Sequence, residues 1–391
     1  MNKWQPIKVG ELGRIVTGKT PKTTISENYG GEIPFLTPSD DMTAKYVNRT
    51  IKTLSTKGLF EVKNNLLPPD TVCVSCIGSD LGKAVITTEN TVTNQQINSI
   101  IVDKKRFDVS FVYYAMLILG KELNFISKTS TAVPIVNKST FSSYEIRCPS
   151  LNRQKQIASV LSSLDSKIEC NQKINDNLYA QAKAIFDDHF INIDAIPAGW
   201  RKGNLLDIAN YLNGLAMQKF RPQRNEIGLP VLKIKELRQG SCDDSSELCS
   251  LSIKPEYIIH DGDVIFSWSG SLLVDIWCGG ICGLNQHLFK VTSDVYDKWF
   301  YYLWTAHHLA RFIAIAADKA TTMGHIKREE LAKAEVLIPC EEDYASLNSI
   351  MQLIFELIIS NRIESRKLAA LRDELLPKLM SGEIDVSAVQ P

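Results

Sequence analysis

The most regular hydrophobic pattern in the chain lies between Asn152 and His189. Its core-facing positions are separated by alternating steps of four and three residues, the spacing of a narrow stripe along an α-helix. The stripe comprises Ile157, Leu161, Leu164, Ile168, Asn171, Asn175, Leu178, Ala182 and Ile185. The pattern predicts one long helix, which at about 1.5 Å per residue forms a rod on the order of 55 Å.

The same stripe returns 190 residues later, with polar interruptions at matching places. Because Asn171 and Asn361 are equivalent, we expect these asparagines to lie in or near an interface between the two helices, where a polar residue fixes register at a cost in stability. The predicted helix-pairing residues are Ile157, Leu161, Leu164, Ile168, Asn171, Leu178, Ile354, Ile358, Asn361, Leu368 and Leu375.

The duplication covers nearly the whole chain. Trp4 matches Trp200 at an offset of 196, and Asn94-Gln95 matches Asn285-Gln286 at 191, while the offset from Thr131/Thr321 onward is constant at 190. Loops accept insertions more readily than a helical register does. We therefore divide the chain into globular regions 1–150 and 196–340, followed by helical spacers 151–195 and 341–391.

Both globular regions mix short strand patterns with one helical stretch. The predicted strands are Glu32–Leu36, Thr71–Cys76, Ile97–Val102, Ser143–Arg147, Leu229–Ile234, Asp263–Trp268 and Gln286–Val291, and the predicted helices are Ser110–Asn124 and Lys298–Ala316. Because strands and helices do not alternate regularly, the predicted class is α+β.

Composition indicates a folded cytoplasmic protein of two to three domains. The chain has 391 residues, 44% of them hydrophobic, and its longest apolar run, Phe111–Leu119, is too short to span a membrane. The nine cysteines are expected to be reduced, and a zinc site at Cys73 and Cys76 is disfavoured because residues three apart in a strand face opposite sides. The net charge is zero overall but +5 over residues 1–150 and −4 over 341–391.

The segment Gly13–Thr20 matches the P-loop pattern letter for letter. We reject a nucleotide site there, because no apolar strand precedes it and Pro21 and further turn residues follow where a helix should begin. The equivalent segment, Ile208–Gln218, lacks the pattern.

Two equivalent turns are instead rich in side chains that bind phosphate and base edges. The first contains Lys19, Thr20 and Lys22, and the second contains Gln218, Lys219, Arg221, Gln223 and Arg224. A solvated basic loop is the competing interpretation for each residue.

A second pair of candidate loops combines small hydroxyl residues with cations. The DNA-binding candidates are Thr129, Ser130, Thr131, Asn137 and Lys138 in one loop, and Thr321, Thr322, His325, Lys327 and Arg328 in the other. The repeated segments Asn94–Gln96 and Asn285–His287 form a third pair, for which we favour amides that cap a turn over amides that contact DNA.

No catalytic motif is present in the sequence. The chain lacks a GxGxxG fingerprint, an HExxH motif, and the Asp/Asn-Pro-Pro-aromatic tetrapeptide of amino-methyltransferases, since Leu67–Asp70 has no aromatic residue. His307 and His308 fall in a helical stretch and are expected to be surface or core residues rather than ligands.

This arrangement resembles the DNA-specificity subunits of type I restriction and modification enzymes, and the resemblance covers nearly all of the chain. Its strongest signatures are Gln154–Ala158 and the ending Leu371–Ile384, and weaker ones are Val9–Leu12 and Gly18–Pro21. The chain departs from the family in two places. The family usually has Glu immediately before the Gln that corresponds to Gln154, whereas this chain has Asn152-Arg153 there. The second copy lacks the Gln motif altogether, at Glu341–Ala345.

The resemblance implies two target-recognition domains, each reading half of a split DNA sequence, and two long antiparallel coiled-coil helices that set the spacer. It implies a non-catalytic subunit that binds double-stranded DNA and two methyltransferase subunits, and that can join restriction and translocase subunits. It implies no cofactor on this chain, because S-adenosylmethionine, ATP and Mg are used by the partners. Since the two recognition domains differ in sequence, the target should be asymmetric.

Two alternative functions can be distinguished by experiment. A coiled-coil scaffold with protein-binding ends would show no salt-dependent DNA affinity. An NTPase built on Gly13–Thr20 would lose hydrolysis in Lys19→Ala, but we expect no hydrolysis to abolish.

Overall fold

The protein forms two compact units. A computed structural model describes residues 4–47, 49–78, 81–129, 136–318 and 326–389. Unit 1 contains Met1–Ser166 together with Ala369–Pro391, and unit 2 contains Lys167–Leu368. Each unit therefore combines one globular region with part of both long helices.

Unit 1 is built on a four-stranded antiparallel sheet. Its strands are β1 (Gln5–Lys8), β2 (Gly13–Thr17), β3 (Tyr29–Leu36), β4 (Lys52–Leu54), β5 (Thr71–Ser75), β6 (Ala84–Ile86), β7 (Val92–Thr93), β8 (Ile97–Val102) and β9 (Glu145–Cys148). The helices of its globular region are α1 (Thr56–Glu61), α2 (Val109–Thr129) and α3 (Lys138–Ser143). The main sheet has the order β2-β8-β5-β6, a smaller sheet has the order β4-β3-β7, and β1 pairs with β9. The first long helix, α4, spans Leu151–Phe186 and continues as a π-helical turn at Asp187–Ile191.

Unit 2 repeats this plan. Its strands are β10 (Arg201–Asn204), β11 (Asn210–Asn213), β12 (Leu229–Leu232), β13 (Leu248–Cys249), β14 (Ile258–Ile259), β15 (Val264–Ser267), β16 (Leu273–Ile276), β17 (Cys282–Leu284), β18 (Leu288–Thr292) and β19 (Glu335–Ile338), and its helices are α5 (Leu205–Ile208), α6 (Ile234–Gln239), α7 (Lys298–His307), α8 (Leu309–Asp318), α9 (Arg328–Ala332) and the long α10 (Glu341–Ser381). The main sheet, β11-β18-β15-β16, matches that of unit 1, and β10 pairs with β19 as β1 pairs with β9.

The smaller sheets share one parallel pairing. Leu36 of β3 lies opposite Thr93 of β7, and Leu232 of β12 lies opposite Leu284 of β17. Leu232 follows Leu36 by 196 residues and Leu284 follows Thr93 by 191 residues, the same offsets that relate the two halves of the sequence. The internal repeat therefore includes the register of the paired strands. The α+β class and the internal repeat are confirmed.

In unit 1 the helical stripe is part of the main hydrophobic core. Ile157 and Leu161 of α4 are buried with Leu376 and Leu379 of α10, and this cluster includes Phe111 and other residues of α2. Leu375 is partly buried against the same cluster, and Leu164 is half-buried. The apolar stripe thus joins both helices to the globular region.

In unit 2 the two long helices run antiparallel. Lys167 lies 3.2 Å from Glu364, Asn171 contacts Asn361, and Asn175 contacts Ile358, so partner numbers fall as residue numbers rise. The remaining predicted pairing positions in this unit are half-buried or buried: Ile168, Leu178, Ile354, Ile358 and Leu368.

Two ion pairs attach α10 to strand β16 and to the turn before β15 in unit 2. Arg362 makes two hydrogen bonds of 2.8 and 2.9 Å to Asp275 on β16, and Arg366 makes two of 2.8 Å to Asp261. Bidentate pairs of this kind fix orientation as well as adding energy, so they orient the helix against the strands.

The structure differs from the sequence-based elements in two main respects. The stretch predicted as one helix from Lys298 to Ala316 is divided at His308 into α7 and α8, and the strands not predicted are β1, β2, β4, β6, β7, β10, β11, β13, β14, β16, β17 and β19. Each missed strand has only two to five residues, too few to show a clear period of two. No helix in the described ranges is long and apolar enough to cross a membrane.

Candidate nucleic-acid interface

Four separate segments of unit 1 meet at one edge of its main sheet. The amide of Gly18 donates to Ile97 at 3.1 Å, and that of Lys19 donates to Thr93 at 2.8 Å. The amide of Cys76 donates to Gln96 at 2.8 Å, and that of Val136 donates to Cys76 at 3.0 Å. These bonds bring together the basic turn, the Asn-Gln turn, the end of β5 and the start of the segment before α3.

Unit 2 forms the same four bonds at the equivalent residues. The amide of Gly214 donates to Leu288 at 3.0 Å and that of Leu215 donates to Leu284 at 2.9 Å. The amide of Trp268 donates to His287 at 3.4 Å, and that of Ile326 donates to Trp268 at 2.9 Å. We call the two sites recognition edge 1 (residues 17–22, 76–78, 94–98 and 136–138) and recognition edge 2 (residues 213–224, 268–270, 285–287 and 326–328).

The glycine at the start of each basic turn is required by close packing. A Cβ on Gly18 would lie 2.1 Å from the carbonyl oxygen of Asn94, and one on Gly214 would lie 2.3 Å from that of Asn285. These glycines let the basic turn pack directly on the Asn-Gln turn. Gly18, the second glycine of the P-loop-like run, therefore has a packing role: its run forms strand β2 and an irregular loop, and no helix follows it.

The repeated asparagines are buried, and their side chains hydrogen-bond to the backbone of the Asn-Gln turns. Asn94 is 8% exposed, and its Oδ1 accepts from the amide of Gln96 at 3.0 Å. Asn285 is 6% exposed and accepts from the amide of His287 at 3.3 Å. These contacts are those expected of amides that cap a turn, the interpretation favoured from the sequence, while Gln95 is exposed and its Oε1 accepts from Thr20 Oγ1 at 2.7 Å.

Most of the predicted DNA-binding side chains of the first pair of turns are exposed to solvent. Lys19 and Lys22 are exposed at edge 1, as are Gln218, Lys219, Gln223 and Arg224 at edge 2. Arg221 makes a 3.1 Å ion pair with Glu247, and both side chains remain substantially exposed. Exposed pairs contribute little stability, so a phosphate can replace Glu247 at small cost.

The second pair of candidate loops is described only in part. Ser130, Thr131, Thr321, Thr322 and His325, and the side chain of Thr129, lie outside the described residues. Asn137 caps α3, because its Oδ1 accepts from the amide of Thr140 at 2.9 Å, and Lys138 is the exposed first residue of that helix. Lys327 and Arg328 occupy the matching place at α9, where both are exposed.

Sequence reasoning missed several side chains at these edges. Asn98 accepts from Thr17 at 2.6 Å and donates to the carbonyl of Val136 at 3.1 Å, and Trp268 Nε1 donates to Asn213 at 3.0 Å. The match of Gly78 to Gly270 at an offset of 192 is the signal that could have found Trp268, since it aligns Trp268 with Cys76.

Cys73 and His308, whose residue types often bind metals, are both buried. Among the described residues no group of three or more His, Cys, Asp or Glu side chains is placed to hold a metal ion. Cys73 is buried, and burial raises the pKa of its thiol to about 12, which disfavours the thiolate that zinc requires. His308 is 9% exposed, and its Nε2 lies 2.8 Å from the carbonyl of Glu335, a structural contact.

Comparisons with known proteins agree with this architecture. A family model described as the type I restriction modification DNA specificity domain matches residues 1–180. The MjaIX type I restriction enzyme specificity subunit of Methanocaldococcus jannaschii is 28% identical over 98% of this chain and 94% of that protein. The chain is therefore similar to a type I specificity subunit along nearly its whole length.

Two further comparisons give the same result. The HindI specificity subunit of Haemophilus influenzae is 32% identical over 44% of this chain and 39% of that protein. The crystal structure of the type I restriction-modification S subunit from M. genitalium covers 97% of this chain and 96% of that one, with a TM-score of 0.56 and 15% identity, which shows a shared fold. The predicted family and fold are confirmed.

Proposed function

We propose that this chain gives a type I restriction-modification enzyme its DNA sequence specificity, with recognition edge 1 and recognition edge 2 each reading one half of a split target. The proposal rests on the repeated backbone hydrogen bonds: the same four bonds form at equivalent residues in both units. The exposed side chains at the two edges are different. Shared backbone bonds support a shared role, and different side chains support different half-sites.

The proposed roles follow side-chain chemistry. Lys19, Lys22 and Lys219 suit phosphate oxygens, whereas Gln218 and Arg224 can make bidentate contacts to adenine and guanine in the major groove. The chain acts without a cofactor of its own. Two methyltransferase subunits use S-adenosylmethionine to modify adenine, and ATP- and Mg-dependent restriction and translocase subunits can join the complex.

A salt titration of DNA binding tests the electrostatic part of this proposal. The chain is assembled with its methyltransferase subunits, and the affinity for a target duplex is measured at increasing salt. Lys19→Ala and Lys22→Ala should weaken binding to target and non-target DNA alike, and each should reduce the slope of log affinity against log salt by about one.

Lys105→Ala is the matched control. Lys105 is exposed and follows β8 at the end opposite to edge 1, so its removal should leave the slope unchanged. If affinity is independent of salt in the unsubstituted complex, the protein-scaffold alternative is favoured instead.

A further inference from the structure

The Asn-Gln turn of unit 2 lies in the middle of recognition edge 2. The amide of Gln286 donates to the carbonyl of Leu215 in the basic turn at 2.8 Å, and the carbonyl of His287 accepts from the amide of Trp268 at 3.4 Å. Asn285 is buried and caps the turn, whereas the side chains of Gln286 and His287 are half-exposed. The turn therefore places these two side chains between the basic turn and the segment at Trp268.

Hydrogen bonds fix the orientation of the Gln286 amide. Its Nε2 lies 3.3 Å from Nε2 of His287, and Nδ1 of His287 lies 2.9 Å from Oγ of Ser269, a residue that is 5% exposed. An amide nitrogen can only donate, so His287 Nε2 accepts and the imidazole proton is on Nδ1, which donates to Ser269. The indole of Trp268 packs beside the imidazole, with ring centroids 6.1 Å apart. One N–H of Gln286 is thus held by His287, while the second N–H and Oε1 remain available to a ligand.

The equivalent amide of recognition edge 1 is held by its oxygen. Gln95 corresponds to Gln286 at an offset of 191, and its Oε1 accepts from Thr20 Oγ1 at 2.7 Å. The next residue, Gln96, accepts from Asn94 Nδ2 at 2.9 Å. The bond within the protein therefore uses the acceptor of the amide at edge 1 and a donor of the amide at edge 2. The two turns share their backbone bonds but offer different groups to a ligand.

We propose that Gln286 is a specificity-determining residue that reads an A·T base pair in the half-site of recognition edge 2, and that His287 is the residue that positions it. A neighbouring N–H donor and carbonyl acceptor match N7 and N6 of adenine in the major groove, the bidentate contact that glutamine makes to this base. Fixing the amide before DNA binds reduces the side-chain freedom that is lost on contact. The inference rests on the proposed function, since it assigns one base contact within a surface proposed to bind DNA.

Binding to base-substituted duplexes tests the proposal. The chain is assembled with its methyltransferase subunits, and affinities are measured for a non-target duplex and for target duplexes in which each base pair of both half-sites is replaced in turn. The unsubstituted complex should prefer A·T at one position of the half-site that depends on residues 196–340. Gln286→Ala should reduce that preference by about tenfold to a hundredfold. Preferences at the other positions and the affinity for non-target DNA should be unchanged.

His287→Ala keeps the amide of Gln286 but removes the group that holds it. It should lower the preference for the same A·T pair, and the double variant with Gln286→Ala should lower it no further than Gln286→Ala alone. This shared effect at a single base pair distinguishes positioning from a general loss of structure. Gln239→Ala, at an exposed residue of α6 outside both recognition edges, is the matched control and should leave every preference unchanged.

The outcomes that overturn the inference differ from those that overturn the proposed function. Equal loss of target and non-target affinity in Gln286→Ala would give the residue a structural or phosphate-binding role, and loss of preference at a G·C pair would show a different contact. If the unsubstituted complex discriminates between bases and Gln286→Ala retains every preference, the inference alone is overturned. A complex with no sequence preference would overturn the proposed function as well.

Discussion

Three asparagines are buried between α4 and α10 in unit 2 and hydrogen-bond across the pair. Asn361 Nδ2 donates to Asn175 Oδ1 at 2.9 Å, and Asn175 Nδ2 donates to the carbonyl of Ile358 at 3.2 Å. Asn171 Nδ2 donates to Glu364 at 2.7 Å. A one-turn slip of either helix would leave these amides buried without partners, so they favour a single register.

Asn361→Ala should therefore destabilise the protein. The substitution leaves Asn175 Oδ1 buried without its donor, at a cost of about 1–3 kcal/mol, measurable by chemical denaturation. The exposed Asn177→Ala on α4 is the control and should cost only a few tenths of a kcal/mol. If Asn361→Ala is as mild as Asn177→Ala, the amides do not hold the register.

His308 makes the stability of unit 2 depend on pH. Burial lowers the pKa of His308, and the neighbouring His307 and Arg311 lower it further, although the Glu335 carbonyl raises it. The unfolded chain, with a histidine pKa of about 6.5, then binds more protons than the folded one below that pH. The contribution of His308 to stability is present above about pH 6.5 and is lost as the pH falls toward the folded pKa.

His308→Gln should reduce this pH dependence. We expect the loss of unfolding free energy between about pH 7.5 and pH 5.5 to be smaller in the variant than in the unsubstituted protein. Tryptophan fluorescence is a suitable probe because five of the six tryptophans lie in unit 2. The exposed His260→Gln serves as the control, and an identical pH profile for both variants would contradict the assignment.

At the scale of elements, the recognition edges depend on how tightly the basic turns pack. Gly214→Ala places a Cβ within 2.5 Å of two carbonyl oxygens, those of Leu284 and Asn285, so the turn must move. Overpacking of this kind costs about 1–3 kcal/mol. We expect lower thermal stability together with loss of DNA binding through the second half-site.

Gly240→Ala is the control that separates the effect of a steric clash from the effect of backbone strain. Gly240 also lies in unit 2 and has a φ of 76°, but a Cβ there meets nothing within 4 Å. It should cost about 1–2 kcal/mol and leave DNA affinity intact. Equal loss of DNA affinity in the two variants would argue against edge 2 as the binding site.

The elements also show where sequence reasoning succeeded. The strand Ile97–Val102 was predicted with the bounds observed, because four of its six residues are isoleucine or valine, which favour strands. The strand Gly13–Thr17 was missed because glycine, arginine and threonine obscure its pattern, although its pairing with β8 defines the main sheet. The four segments of each recognition edge meet through contacts between residues far apart in the chain, such as Lys19 with Thr93. The hydrophobic pattern within one segment cannot predict contacts of this kind.

For the whole molecule, the internal repeat was the strongest signal available. Offsets read from Trp4/Trp200, Asn94/Asn285 and Thr131/Thr321 predict that the two halves share a fold, and the equivalent sheets bear this out. The repeat conveys nothing about which bases are read, because exposed side chains such as Lys22 and Gln218 differ between the edges. This difference is the reason to expect two unlike half-sites.

Genome-wide mapping of N6-methyladenine tests the central claim most directly. Cells that express this chain with its methyltransferase are compared with cells lacking this chain alone. We expect a split, asymmetric methylation motif that disappears when this chain is deleted. One half of the motif should change when residues 196–340 are exchanged for those of another specificity subunit. Methylation that persists after the deletion, in a complex whose methyltransferase is active, would contradict it, and a palindromic motif would contradict the assignment of different half-sites to the two edges.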